Sequence, residues 1–175
     1  MERKTDFGLI QIYTGSGKGK TTAALGLAMR AAGHGFKVAI VHFMKIWNYG
    51  EVKSLEKLGI DLFRYGTTEL IDPKNPSPID FEQANEAIEK AEELVEKGNH
   101  DILILDEINV AVDFNLIPLM RVVDLLENKP ENLELVITGR NCPKELMERA
   151  DLVSVIDEIK HPFSKGLKAR KGIEF

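Results

Sequence analysis

Hydrophobic positions fall into short, dense runs separated by longer stretches with helical spacing. The run GLIQIY over 8–13 carries branched Ile10 and Ile12, extended by Leu9 and Tyr13, and predicts a buried strand. TGSGKGKTT follows, then AALGLAMRAA, rich in the strong helix formers Ala and Leu and closed by Gly33 and Gly35. KVAIVHFM over 37–44 supplies a second buried strand. A strand, a helix and a strand in this order form a β-α-β unit, whose crossover favours a parallel, right-handed connection.

Farther along, a short helix is expected over 51–58 and a strand over IDLFRY. Residues 66–80 are polar and proline-rich, and read as an ordered loop or lid rather than a domain linker. Over 81–97 an amphipathic helix is expected, with Phe81, Ala84, Ile88, Ala91 and Val95 on its core side and glutamates facing water. DILILDEIN is a third buried run, and LIPLMRVVDLLENKP turns helical after Pro118. LELVITGR is a fourth such strand, CPKELMERA a short helix with proline near its start, and LVSVIDEIK a fifth strand. The tail HPFSKGLKARKGIEF has no strong period, and no internal repeat is evident. The fold class is α/β, with a mostly parallel central sheet of five or six strands flanked by helices.

Composition narrows the class. At 175 residues the chain suits one domain, by the rule of about 150 residues per domain. A single cysteine excludes a disulfide framework, and four histidines beside it leave little for a structural zinc cluster. No apolar run approaches the roughly 20 residues of a membrane span, and no signal-peptide core follows MERKTDF, so a cytoplasmic protein without a membrane partner is expected. Twenty-eight acidic against 23 basic side chains give a net charge of -5, which argues against broad nucleic-acid binding but not against a local anion site.

That local site is the strongest signal in the chain. Gly15, Ser16, Gly17, Lys18, Gly19, Lys20, Thr21 and Thr22 lie between a strand and a helix, the context in which a glycine-rich loop cradles phosphate. Glycines let backbone N–H groups approach phosphate oxygens, and the following helix adds its N-terminal amides. Lys20 can reach terminal phosphates, Thr21 can place its hydroxyl on magnesium, and Thr22 is near enough for another phosphate. Lys18 reads equally as a phosphate contact or a solvated lysine. Where the general motif has its first glycine, this chain has Thr14.

ILILDE ends an apolar strand on Asp106 and Glu107. At the carboxyl edge of a parallel sheet this pair can hold magnesium, directly or through water, beside Thr21. Glu107 reads either as a water-activating base or as a metal ligand; alternatively the pair is exposed and simply begins a helix. Arg140 suits a phosphate, a ribose or a structural ion pair. Motif chemistry alone leaves a P-loop ATPase or a small-molecule kinase open beside other ATP chemistry.

Taken together, IYTGSGKGKTTAALGLAMRAAGHG, VHFMK, NYGE, LILDEIN, LVITGR and IKHPFSKGLKARKGIEF resemble the P-loop ATP:corrinoid adenosyltransferase family, over nearly the whole chain from Leu9 to Phe175. The resemblance implies one RecA-like P-loop NTPase domain over 1–175 and, as partners, a second copy in a homodimer and a transient electron-donor flavoprotein. It implies transfer of the 5′-deoxyadenosyl group of ATP to reduced cobalt(I) corrinoid with release of triphosphate, magnesium or manganese assisting. Lys20 and Glu107 then stand as catalytic residues, 15–22 as the nucleotide cradle, and Thr21, Asp106 and Glu107 as the metal side. The family's reversed ATP orientation is likewise implied. Glu51 matches a short family segment and reads as a positioning residue or a helix cap; Lys160, Lys165, Lys168, Arg170 and Lys171 read as substrate contacts, dimer contacts or solvated tail. Two departures stand out. His42 replaces a glutamine of many relatives, and Gly66-Thr67-Thr68-Glu69-Leu70 lacks the Phe-x-Trp pair that some relatives press against the corrinoid.

Overall fold

The computed structural model describes residues 7–46 and 49–175; Trp47 and the opening residues read for a leader lie outside them. The chain order is β1 (Ile10–Thr14), α1 (Lys20–Gly33), β2 (Val38–His42), α2 (Gly50–Lys57), β3 (Asp61–Arg64) and α3 (Pro78–Lys97), then β4 (Ile102–Asp106), α4 (Ile108–Asp113), α5 (Leu119–Asn128), β5 (Glu134–Thr138), α6 (Lys144–Met147) and β6 (Leu152–Val155). A single 3-10 turn, Pro162–Lys165, follows in the tail.

All six strands pair in parallel, in the order β3-β2-β4-β5-β1-β6. Parallel sheets are covered on both faces, so their central strands are apolar throughout rather than alternating. Every residue of β2, β4 and β5 is buried for that reason. By contrast, all four residues of β6, at one edge of the sheet, are exposed, whereas three of the four residues of β3 at the other edge are partly covered. One layer of core lies under α3 to α6, with Ile88, Leu105, Ile108 and Leu135 at its centre. The other lies under α1, whose buried stripe Lys20, Ala24, Ala28 and Ala31 lets the helix sit close to the sheet.

Three local outcomes differ from the sequence expectation. α3 begins at Pro78, not Phe81, because Ser77 and Asp80 form a reciprocal capping box with proline at the first helical position. The last part of the expected 66–80 loop is therefore helix. The buried stripe of α3 is Ala84, Ala87, Ile88, Ala91 and Leu94; Phe81 is exposed in the first turn and Val95 lies at the margin. Directly after β4 stands α4, a short helix that the apolar pattern does not announce.

Strand order decides what meets at the carboxyl edge. β5 lies between β1 and β4, with Tyr13 opposite Thr138 and Leu105 opposite Ile137. On the other side of β4, His42 is opposite Asp106. The end of β5 thus bridges the glycine-rich loop that follows β1 and the acidic pair that closes β4.

Candidate active site

The glycine-rich loop is shaped by the chain that follows β6. The Ile156 N–H donates to the Thr14 carbonyl at 2.8 Å, and the Gly17 N–H donates to the Ile156 carbonyl at 2.7 Å. A Cβ at Gly15 would lie 2.4 Å from the Ile156 oxygen, and one at Gly17 would lie 2.7 Å from the Asp157 carbonyl carbon. Glycine at both positions is therefore required by a neighbouring backbone. Gly19 differs: a Cβ there meets nothing closer than 3.9 Å, but its φ of 128° favours glycine. Thr14, at the departure from the general motif, is a buried residue of β1.

Residues 17–22 line a cavity of about 1100 Å³, whereas Gly15 and Ser16 do not line it. Lys20 is almost fully buried, and its Nζ donates to the carbonyls of Gly15 at 2.8 Å and Gly17 at 2.7 Å. Burial pulls its pKa down, with the Glu107 carboxylate opposing. Lys18 is neither free in solvent nor turned to the cavity alone: its Nζ meets Glu174 Oε1 at 2.8 Å and the Ile173 carbonyl at 3.3 Å. The C-terminal tail thereby closes over the loop.

Neither acidic residue is exposed. Asp106 is buried and accepts from Thr138 Oγ1 at 2.7 Å on one oxygen and from Lys45 Nζ at 3.2 Å on the other. His42 Nε2 stands 3.7 Å from the same Oδ2, and neither ring nitrogen has a hydrogen-bond partner. Burial pushes the Asp106 carboxyl upward, but Lys45, His42 and hydrogen bonds from Thr138 and Thr21 outweigh it and hold the pKa low. Glu107 takes the left-handed backbone, φ 67°, where the chain reverses into α4. Its N–H donates to Thr138 Oγ1 at 3.0 Å, and the residue lines the cavity. Burial, then the Asp106 charge, push its pKa up. The pKa values of two adjacent carboxyl groups are thus moved in opposite directions, Asp106 downward and Glu107 upward.

Lys45 and Thr138 are the site residues that sequence reasoning missed. Thr138 links both members of the acidic pair, and Lys45 neutralises the buried one. Lys45 lies 3.9 Å from Glu51 Oε1, and both line the cavity, as does Arg140. His42 is buried in the core and outside the cavity wall; Thr67, Thr68, Glu69 and Leu70 also lie outside that wall, but on the surface, with Leu70 95% exposed. Of the five basic tail residues, Arg170 is occupied by Glu174, and none lines the cavity; His161, Phe163, Ser164 and 172–175 do so instead.

The donor set suits magnesium. The Thr21 hydroxyl bonds to the Asp106 carboxylate and shares the cavity wall with Glu107; these are hard oxygen ligands that this ion takes singly or in pairs while keeping waters and phosphate oxygens. Among the described residues no cluster of three or more His, Cys, Asp or Glu side chains is arranged as an all-protein cage.

A parallel sheet, a glycine-rich loop at the carboxyl end of β1 and an acidic pair at the end of β4 define a P-loop nucleotide-binding domain. A KaiC-like protein from the archaeon Pyrococcus horikoshii shares the fold, with a TM-score of 0.55 at 18% identity over 89% of this chain and 75% of that one. The chain belongs to the ATP:corrinoid adenosyltransferase BtuR/CobO/CobP family, whose profile matches residues 6–175. It is 38% identical to the corrinoid adenosyltransferase of Escherichia coli K12 over 169 residues, 96% of this chain and 86% of the relative. Against the Sinorhizobium corrinoid adenosyltransferase it is 40% identical over 180 residues, 100% of this chain and 84% of the relative. Against corrinoid adenosyltransferase CobA of Salmonella typhimurium it is 35% identical, again over 96% of this chain and 86% of the relative.

Proposed function

We propose that this enzyme transfers the 5′-deoxyadenosyl group of ATP to the cobalt(I) centre of a reduced corrinoid and releases intact triphosphate. The cobalt(I) electron pair forms the bond to ribose C5′, the C5′–oxygen bond breaks, and its electron pair leaves with the triphosphate. Cobalt brings its own nucleophilicity, so the protein needs no serine, cysteine or general base. What it must supply is alignment and stabilisation of the charge that gathers on the leaving group.

The observation that carries this reading is Lys20 and the loop amides meeting Thr21, Glu107 and Arg140 in the wall of one cavity, in a member of this family. In this role residues 15–22 cradle the phosphates, Gly15 and Ser16 by shaping the loop. Lys20 exchanges its two loop carbonyls for phosphate oxygens. Thr21 and Glu107 hold magnesium, or manganese in its place, and Asp106 acts from behind by fixing Thr21 and Lys45. The metal supplies a Lewis acid on the triphosphate oxygens. The family relationship further suggests a single functional domain over 1–175, a homodimer, a flavoprotein electron donor and a cytoplasmic setting. No helix among the described residues is long and apolar enough to cross a membrane.

The test is anaerobic incubation of the protein with magnesium-ATP and chemically reduced cob(I)alamin. A photolabile cobalt–carbon product is expected. ATP consumption without any alkylated corrinoid would point to an ATPase or kinase and end the proposal.

A further inference from the structure

Beside the phosphate loop, the cavity lining includes large apolar side chains, and three of them, Phe163, Ile173 and Phe175, come from the tail. They are 73%, 58% and 44% exposed, an unusual investment of large hydrophobic surface in one short segment. Phe114, from the turn after α4, adds a fourth apolar group to the same cavity. At about 1100 Å³ the space also exceeds the roughly 300–1,000 Å³ typical of a pocket for a single small ligand.

This apolar segment is held in place by defined contacts. Lys18 Nζ grips the Ile173 carbonyl and Glu174 Oε1, while the Arg170 N–H and Nη2 donate to the two Glu174 oxygens at 2.8 and 3.1 Å. The Gly172 N–H closes the last turn on the Phe175 carbonyl at 2.6 Å. A residue of the phosphate loop therefore positions the aromatic segment, so the apolar wall and the phosphate cradle are continuous. A second substrate that must reach C5′ of a nucleotide held by this loop enters the same cavity that these side chains line. Corrins are broad macrocycles with apolar faces and a rim of polar amides, which matches aromatic side chains flanked by His161 and Ser164.

We infer that Phe163, Ile173 and Phe175 form the face on which the corrin ring lies, and that the Glu174–Lys18 tie sets this face over the phosphate loop. The inference rests on the adenosyltransferase reading above. It gives the tail the binding role for which the 66–70 segment has no aromatic side chains.

Steady-state kinetics with cob(I)alamin on the full chain test it, using Phe163→Ala, Phe175→Ala and Glu174→Gln, with Phe175→Tyr as a conservative control. The expected result is a KM for cob(I)alamin raised about 10-fold by each alanine variant, as suits the loss of one buried aromatic contact. A smaller rise is expected for Glu174→Gln and near-wild-type behaviour for Phe175→Tyr. For the three phenylalanine variants, calorimetric ATP affinity without corrinoid, the melting temperature and the oligomeric state should not move. An unchanged corrinoid KM in the alanine variants of an active enzyme overturns the inference and leaves the function intact. Weakened ATP binding would assign the wall to adenine, and a changed oligomeric state would assign it to a second copy of the chain; either overturns it. A wild-type protein that makes no alkylcorrinoid removes the function and this inference together.

Discussion

Lys45 Nζ stands 3.2 Å from Asp106 Oδ2, and the two side chains are 15% and 1% exposed. A carboxylate this deep stays ionised chiefly because its charged partner is beside it. The effect is mutual: burial alone would lower the Lys45 pKa, but the charge and hydrogen bond of Asp106 hold it above the usual lysine value. Replacing Lys45 by methionine leaves a buried charge uncompensated and should cost about 3 kcal/mol in urea denaturation. The Lys45→Met, Asp106→Asn pair should cost clearly less than the two single changes added together. Strict additivity would mean that the ion pair contributes nothing.

Steric demand at the loop can be ranked. Gly15→Ala combines φ 104° with a Cβ placed 2.4 Å from a backbone oxygen, and should destabilise by on the order of 3 kcal/mol. Gly19→Ala meets only an ordinary contact with the Ile156 side chain at 3.9 Å and suffers its backbone conformation, at about 1–2 kcal/mol. Gly26, inside α1 with nothing within 4 Å, should instead gain about 0.5–1 kcal/mol as alanine. Thermal melts of the three variants give the order, and a Gly15→Ala protein as stable as wild type contradicts it.

His42 predicts a pH dependence. Burial, only partly countered by Asp106, pulls its pKa from 6.5 down to about 4, so the native form refuses a proton that the unfolded form accepts. This contribution to stability is fully present above pH 6.5 and is lost as pH falls through about 4. The loss is on the order of 3 kcal/mol. In denaturation curves across that window, His42→Gln should show a shallower decline than wild type. Parallel curves would mean that His42 titrates normally.

Much of the frame was legible because central parallel strands are apolar from end to end: KVAIVHFM, ILILD and LELVIT declare themselves. LVSV reads the same way but lies at an edge, since strand order is set by crossovers between distant segments. A readable signal does precede α3, in Ser77 and Asp80 three residues apart around Pro78. By contrast α4 offers six residues begun by a left-handed glutamate, too short for a period. The glycine loop and the acidic pair were visible as motifs. Lys45 and Thr138 were not, since a lone polar residue at a strand end acquires meaning only when β2, β4 and β5 are neighbours. Nor could Lys18 be matched with Glu174, 156 residues away.

Lys20 has two separable duties. As a donor to the Gly15 and Gly17 carbonyls it fastens the loop, so Lys20→Ala should lower stability by about 1–2 kcal/mol. This is more than a residue serving phosphate alone would cost. Its loss from the developing charge of the leaving group should reduce adenosyl transfer about 100- to 1,000-fold. Single-turnover rates well below the melting temperature separate the two effects. Transfer that survives undiminished removes Lys20 from the reaction.

The most direct measurement is the fate of the three phosphates, followed by phosphorus NMR during anaerobic turnover with cob(I)alamin. Attack at C5′ predicts inorganic triphosphate appearing in step with the alkylated corrinoid, one for one. ADP with orthophosphate in its place would mean attack at phosphorus, and would contradict the account.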